Sequence, residues 1–169
     1  MAVQTGRTVD KWTRVLIDDS AGTPRDVEVN TMSPVGFVYD EEQSGVTAWQ
    51  DQVKGYLAAH PDCAIDFGGP WSTTAAQAAA GSGAQAALSG SRTVLNPLAA
   101  PTFTTPLGFA ILFGVRHYWE TGEPVFGVVA PSATSGYVLT KYQKEGSTYS
   151  ARVVPFPGTV PAWGTAILT

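Results

Sequence analysis

Two histidines are the side chains in this sequence best suited to acid–base chemistry. His60 precedes Pro61 at the end of a predicted helix, where its expected role is to cap that helix. His117 lies at the end of a predicted strand, where a surface or subunit-contact role is expected. A serine hydrolase needs a nucleophile held beside a base and an orienting acid, and the sequence has no G-x-S-x-G turn. The sequence therefore predicts no catalytic residue.

Candidate ligands for a metal or a cofactor are also few. The single cysteine, Cys63, excludes an intrachain disulfide and a cysteine-based metal site, and its apolar neighbours predict a buried thiol. Asp18, Asp19 and Asp26 lack the alternating spacing of a calcium loop, so they predict a turn rather than a cation site. No glycine-rich loop with a lysine is present to cradle phosphate. We therefore expect neither a metal nor a cofactor.

Charged residues make up only 14% of this 169-residue chain, against roughly 25% in typical soluble domains. Such a chain either exposes neutral polar surface or buries surface in an assembly. The net charge of −4 provides no electrostatic footprint for duplex DNA. Residues 1–66 carry 11 of the 14 acidic and 5 of the 10 basic residues, whereas residues 67–169 have a net charge of +2. This asymmetry favours head-to-tail stacking of copies.

The length predicts one domain. The first residues lack the apolar run of a signal peptide, and no segment reaches the ~20 apolar residues of a membrane span. We therefore expect a soluble protein made in the cytoplasm, with no membrane partner.

Residues 46–71 are predicted to form a short strand, an amphipathic helical turn, a proline break and a second strand. Thr47 is suited to cap the helix, and His60-Pro61-Asp62 is expected to end it. Residues 63–67 then alternate between apolar and polar side chains, as in a half-buried strand. The predicted apolar face of the helix, at helical spacing, is formed by Trp49, Val53, Tyr56 and Leu57.

Short alternating or apolar runs elsewhere predict more strands. Residues 13–18 and 26–31 are expected to form one hairpin, and residues 137–144 and 147–154 another, with a tight turn at Glu145-Gly146. The run 106–115 is almost wholly apolar, which predicts a central strand buried on both faces or against a partner subunit. The remaining segments are an apolar run at 35–39, predicted strands at 93–95 and 125–130, and a low-complexity segment at 72–90 that is predicted to be a short helix and a loop, or a loop throughout.

These elements predict a mainly β fold, a β-sandwich or barrel with a flanking short helix, whose core spans residues 13–154. Residues 1–12 and 155–169 are predicted to form extended terminal arms. Phe156 and Trp163 are the expected anchors of the C-terminal arm.

Residues 16–26 and 46–71 resemble the tail tube proteins, or major tail proteins, of long-tailed bacteriophages. The first segment contains the acidic turn Asp18-Asp19-Ser20-Ala21-Gly22-Thr23, followed by the pair Arg25-Asp26 at the start of a strand. The second leads from Val46-Thr47 into an apolar strand that ends at Phe67-Gly68-Gly69.

The resemblance implies a β-sandwich protomer that assembles into stacked hexameric rings, forming the hollow tail tube of the virion. It implies a tape measure protein and a tail terminator as partners, DNA that passes through without specific binding, and no catalysis. Two alternatives stay within virion proteins, a tail terminator and a capsid decoration protein. A third is a β-sandwich carbohydrate-binding module that uses surface Trp and Tyr, and an enzyme is a more distant one.

An acidic loop at residues 40–45 is either a solvated loop or a subunit contact. Our hypothesis is that it meets basic residues of the late hairpin in the next ring, because the two halves of the chain differ in charge. The predicted ring-contact residues are Asp40, Glu41, Glu42, Lys141, Lys144, Arg152 and Trp163.

Overall fold

The computed structural model describes residues 12–36, 44–45, 56–57, 63–78, 87–115 and 118–168. The described part is mainly β, as predicted, with one short helix, α1 (Ser91–Leu98). The strands are β1 (Thr13–Asp18), β2 (Pro24–Val27), β3 (Thr31–Met32), β4 (Ser44–Gly45), β5 (Tyr56–Leu57), β6 (Ile65–Pro70), β7 (Phe109–Phe113), β8 (Val125–Val128), β9 (Tyr137–Glu145), β10 (Thr148–Pro155) and β11 (Ala162–Gly164).

Two antiparallel sheets pack face to face and confirm the predicted sandwich. The five-stranded sheet has the order β11-β8-β7-β1-β2, and the four-stranded sheet has the order β3-β6-β10-β9. A separate pair is formed by β4 and β5. Leu107 and Tyr137 exchange two backbone hydrogen bonds of 2.7 and 2.8 Å, which link the starts of β7 and β9. The two sheets are therefore linked through their backbones at this point.

The main core lies between the sheets. Val15 and Ile17 of β1 point into it, whereas Leu16 points to the opposite side of the sheet, as the two-residue period of a strand requires. Phe67 of β6 packs against Phe109 of β7, with ring centroids 5.6 Å apart. This contact between the two sheets removes large aromatic surfaces from water, which is the main driving force for folding.

A second apolar layer covers the outward face of the five-stranded sheet. Leu16, Ala110 and Leu112 are fully buried there. Trp119 and Leu168 lie in the same buried cluster and cover these strand residues. The apolar strand β7 lies between β1 and β8, and its side chains point alternately into the main core and into the second layer. Both of its faces are therefore buried, which confirms the sequence prediction for this run.

The helix occurs where a strand was predicted, so the prediction for residues 93–95 is wrong. Val94, Leu95 and Leu98 are buried at helical spacing against the main core. Packing against both sheets therefore outweighs the β-propensity of Thr93 and Val94. The predicted short helix at 72–90 is absent from residues 71–78 and 87–90, and the rest of that segment lies outside the described residues.

Both predicted hairpins are confirmed, with shifted ends. β1 pairs with β2, but β2 ends at Val27 and the chain then crosses to β3 in the other sheet. β9 pairs with β10 through a two-residue loop at Gly146-Ser147, one residue later than predicted. Gly146 has a φ of 61°, which places a glycine at the first loop position, as a II′ turn requires.

The prediction for residues 46–71 is corrected in part. Tyr56–Leu57 forms a strand that pairs with Ser44–Gly45, so these two residues do not belong to a helical face. A short apolar run fits both periods, and backbone pairing with a neighbouring segment decides between them here. Residues 46–55, including Thr47, Trp49 and Val53, lie outside the described residues. The predicted strand that follows is present as Ile65–Pro70.

The described part of the predicted C-terminal arm lies on the domain itself. β11 pairs with β8 at the edge of the five-stranded sheet, and Leu168 is buried under the second apolar layer. The physical reason is that the outward face of this sheet is apolar and needs a cover, which the last residues supply. The predicted N-terminal arm, residues 1–12, lies outside the described residues except for Trp12.

Candidate assembly surfaces

The acidic turn between β1 and β2 is held by its own side chains. The carboxylate of Asp19 accepts hydrogen bonds from the backbone N–H groups of Ala21 and Thr23 at 2.9 and 3.0 Å, and Arg25 pairs with it at 2.7 Å. Burial alone would raise the pKa of Asp19, but these donors outweigh it and hold the pKa below its usual value. The turn predicted from the sequence is therefore present.

Asp26 forms a buried ion pair with Arg14. The Nε of Arg14 lies 2.7 Å from Oδ2 of Asp26, and the side chains are 6% and 1% exposed. Burial raises the pKa of Asp26, although the neighbouring guanidinium acts in the opposite direction. This carboxylate therefore depends on Arg14 to remain charged inside the protein.

Asp18 is also buried, and its hydrogen-bond partner differs from those of Asp19 and Asp26. The N–H of Gly108 donates to its Oδ2 at 2.7 Å, and its Oδ1 has no hydrogen-bond partner in the described part of the chain. Burial raises the pKa of Asp18. The three aspartates thus have separate partners, and no group of three potential metal ligands occurs among the described residues.

Cys63 is buried, as predicted, and its thiol donates to the carbonyl of Gly36 at 3.3 Å. It lies close to Tyr137, where burial first and the thiol second raise the pKa of the phenol. Both side chains belong to the main core and contribute to its packing.

The three predicted basic contact residues do not share one surface. Lys141 and Arg152 are cross-strand neighbours on the outward face of the four-stranded sheet. Arg152 is already paired with Asp66 of β6, at 3.3 Å, in an exposed ion pair. Lys144 instead lies over the ring of Trp71, 4.9 Å from its centroid, and donates to the carbonyl of Gly146. The basic group therefore consists of Lys141 and Arg152, without Lys144.

The predicted partners of this basic group, Asp40, Glu41 and Glu42, lie outside the described residues. Their contact with the late hairpin of a neighbouring ring stays a prediction. His60 and His117 also lie outside the described residues.

Trp163 forms an exposed aromatic knob at one edge of the five-stranded sheet. Its ring packs against Phe126 and Phe113, with centroids 4.9 and 5.6 Å apart, and the residue is nevertheless 55% exposed. Val160, two residues before β11, is 76% exposed. The chain from Val153 to Leu168 contains no charged residue. We refer to Val160 and Trp163 as the knob.

A groove of about 710 Å³ lies at the opposite edge of the same sheet. It runs beside β2 and the following residues 28–34. Part of its lining is apolar, formed by Val29, Met32, Pro34, Leu88 and Tyr118. Leu88 is among the exposed large apolar residues of the described part. We refer to this feature as the groove.

Sequence reasoning missed the groove. Its walls come from β2, from residues 28–34, which include the short strand β3, and from Leu88, which lies more than 50 residues later in the chain. None of these segments has a periodic pattern that predicts proximity. The knob residue Trp163 was selected from the sequence, but its place at a sheet edge was not.

Comparison with known proteins gives a likeness in fold. No family model matches the chain, and no curated protein matches it. A chain in the cryo-EM structure of the anti-feeding prophage (AFP) baseplate, 6-fold symmetrised, is similar over 97% of this chain and 97% of that chain. The TM-score is 0.53 and the sequence identity is 10%, so the two chains share a fold. No helix in the described ranges is long and apolar enough to span a membrane.

Proposed function

We propose that this protein is a structural subunit of a phage-tail-like assembly, and that its copies form hexameric rings stacked into a hollow tube. The observation that carries the proposal is the likeness in fold to a chain of a six-fold symmetrised baseplate, which extends over 97% of both chains. The acidic turn and the strand β6, through whose residues the sequence resembles tail tube proteins, support the finer assignment. The proposed role is structural and not catalytic.

The surface of the sandwich supports an assembly role. The chain is poor in charge, and its described surface includes an exposed Trp and an exposed Val at one sheet edge. Large exposed apolar groups that lie together are characteristic of protein–protein contacts. In the proposed tube, the tape measure protein occupies the lumen before DNA does, and a tail terminator closes the end.

In this proposal, the outward face of the four-stranded sheet lines the lumen, which places Lys141 and Arg152 there instead of in the predicted contact with the acidic loop of the next ring. The charged side chains of this face are Asp66, Glu145, Lys141 and Arg152, whose formal charges cancel. Duplex DNA carries one negative charge per ~1.7 Å of its axis, so a lumen with a net positive face would hold it by counterion release. A polar face without net charge lets DNA pass without specific binding.

Assembly state is the direct test. The purified protein should show rising light scattering with concentration, and negative-stain microscopy should show tubes built of six-fold rings. The series should be repeated with preformed tail or baseplate complexes as seeds, because assembly can require an initiator. A protein that stays monomeric at high concentration, with and without seeds, would contradict the proposal.

The same images separate the proposal from the other virion roles. Isolated rings that cap tubes but do not stack indicate a tail terminator, and trimers indicate a capsid decoration protein. The exposed Trp163 is the observation that favours a carbohydrate-binding module, because sugar rings stack on such side chains. A glycan array on the monomer tests that role, and we expect no binding.

A further inference from the structure

We propose that the knob of one copy docks into the groove of a second copy, so that neighbouring subunits contact each other head to tail around the ring. This inference rests on the proposed function, because it names the contact by which the rings close. It assigns Val160 and Trp163 to one side of the interface and Leu88, with the apolar wall around it, to the other.

The two features lie at opposite edges of one sheet. β11 carries the knob at one end of the five-stranded order, and β2 borders the groove at the other end. Four strand spacings of about 4.8 Å separate these edges by roughly 19 Å. The knob is held against its own sheet by Phe113 and Phe126, so it does not reach its own groove. A second copy can therefore supply a groove for this knob and a knob for this groove.

The aromatic ring of the knob is preorganised for docking. Packing of the Trp163 ring against two aromatic rings fixes its orientation, which lowers the conformational entropy lost on binding. Aromatic side chains of this kind are the commonest residues that dominate binding energy at protein interfaces. The exposed remainder of the ring has no other cover among the described residues.

The groove has room for the knob and offers it an apolar wall, beside polar residues such as Glu28 and Asn30. A volume of about 710 Å³ accommodates an indole ring together with a valine side chain. The apolar wall of Val29, Met32, Pro34 and Leu88 suits an uncharged segment. Arg14 and Asp26 also line the groove, and these buried charged residues are paired with each other. Docking of an uncharged side chain therefore leaves the ion pair intact.

A contact between two different patches of the same chain is heterologous, and such contacts form rings when the rotation between copies closes. This geometry differs from a two-fold dimer, in which Trp163 would meet Trp163. Variants that disable only the knob or only the groove distinguish the heterologous contact from a two-fold dimer.

The experiment uses the full chain with Trp163→Asp, which disables the knob, and Leu88→Asp, which disables the groove. Both positions are exposed, so each variant should fold, and thermal unfolding should confirm this. Ala133→Asp, in the exposed turn between Ser132 and Ser135, adds the same charge elsewhere and is the matched control. Sedimentation velocity over a concentration series measures assembly of each protein and of mixtures.

We expect the control to assemble like the wild type and each docking variant to assemble at least about 30-fold more weakly. An equimolar mixture of the two variants should form a one-to-one dimer that grows no further, since one intact knob and one intact groove remain. A mixture that forms no dimer overturns the proposal.

Trp163→Asp assembling at the wild-type concentration also overturns it, while the proposed tube function stands. That result is expected if the knob instead binds a different tail component or an oligosaccharide. A wild type that fails to assemble with or without seeds overturns the proposed function and this contact together.

Discussion

The five-stranded sheet is covered on both faces, whereas the four-stranded sheet leaves its outward face to solvent. On the first, Arg14 and Asp26 form an ion pair that is 6% and 1% exposed. On the second, Arg152 and Asp66 form an ion pair of the same chemistry that is 42% and 55% exposed. The same pair of residue types is therefore part of the protein interior on one sheet and part of the surface on the other, because only the first sheet has an apolar layer over its outward face.

The comparison indicates that the two sheets have different roles. When both faces of a sheet are buried, only its edges are open to contact with another protein. The knob and the groove lie at those edges. The outward face of the four-stranded sheet is polar and open to solvent. The buried sheet therefore carries most of the stability. In the proposed tube, its edges make the ring contact, and the outward face of the four-stranded sheet lines the lumen.

The largest expected effect comes from breaking the buried ion pair. Asp26→Ala leaves Arg14 charged and without its carboxylate inside the protein, which should lower the free energy of unfolding by about 3–5 kcal/mol. Urea unfolding followed by circular dichroism measures the loss. Arg14→Met together with Asp26→Leu removes both charges and should recover most of it. A single Asp26→Ala variant with the stability of the wild type would show that the pair is solvated.

The second apolar layer should behave as core. Leu16→Ala creates a cavity under Trp119 and Leu168, so we expect a loss of about 2–5 kcal/mol of unfolding free energy. Gln143→Ala, at an exposed position on the outward face of the four-stranded sheet, is the control and should change stability by less than about 0.5 kcal/mol. A loss below about 1 kcal/mol for Leu16→Ala would mean that the outward face of the five-stranded sheet is open to solvent.

Part of this arrangement could be predicted from the sequence. The alternation in β1 and the apolar run of β7 specify their faces, and Gly146 marks the turn of the late hairpin. The cover of the second layer could not be predicted, because Trp119 and Leu168 come from segments without a regular period. The helix α1 was missed because its eight residues include Thr93 and Val94, and only burial against both sheets shows its helical spacing. The groove is built from distant segments and leaves no local signal.

The buried carboxyl of Asp18 should make stability depend on pH. Burial raises its folded-state pKa above the usual value of 3.8, so the folded protein binds this proton more tightly than the unfolded chain does. The resulting stability is fully present below pH 3.8 and is lost as the pH rises through the raised pKa. Asp19 and the Gly108 N–H are the polar groups that act on it.

Asp18→Asn removes this titration. The unfolding free energy of the wild type relative to the variant should therefore increase as the pH is lowered from 7 towards 4, by at most ~1.4 kcal/mol per pH unit. Urea unfolding of both proteins at several pH values measures the difference. A difference that stays constant over this range would show that Asp18 titrates alike in the folded and unfolded states.

The smallest expected effect is on the exposed ion pair. Asp66→Asn removes one partner of Arg152 but leaves the guanidinium hydrated, so the loss of unfolding free energy should be about 0–1 kcal/mol. The variant also leaves Arg152 beside Lys141 on the neighbouring strand, and like charges in this position repel. The loss should therefore be larger at low salt and vanish above about 0.5 M salt, where screening is strong. Asp66→Asn matching the cost of Asp26→Ala would remove the contrast between the two sheets, because it would mean that the outward face of the four-stranded sheet is covered as well.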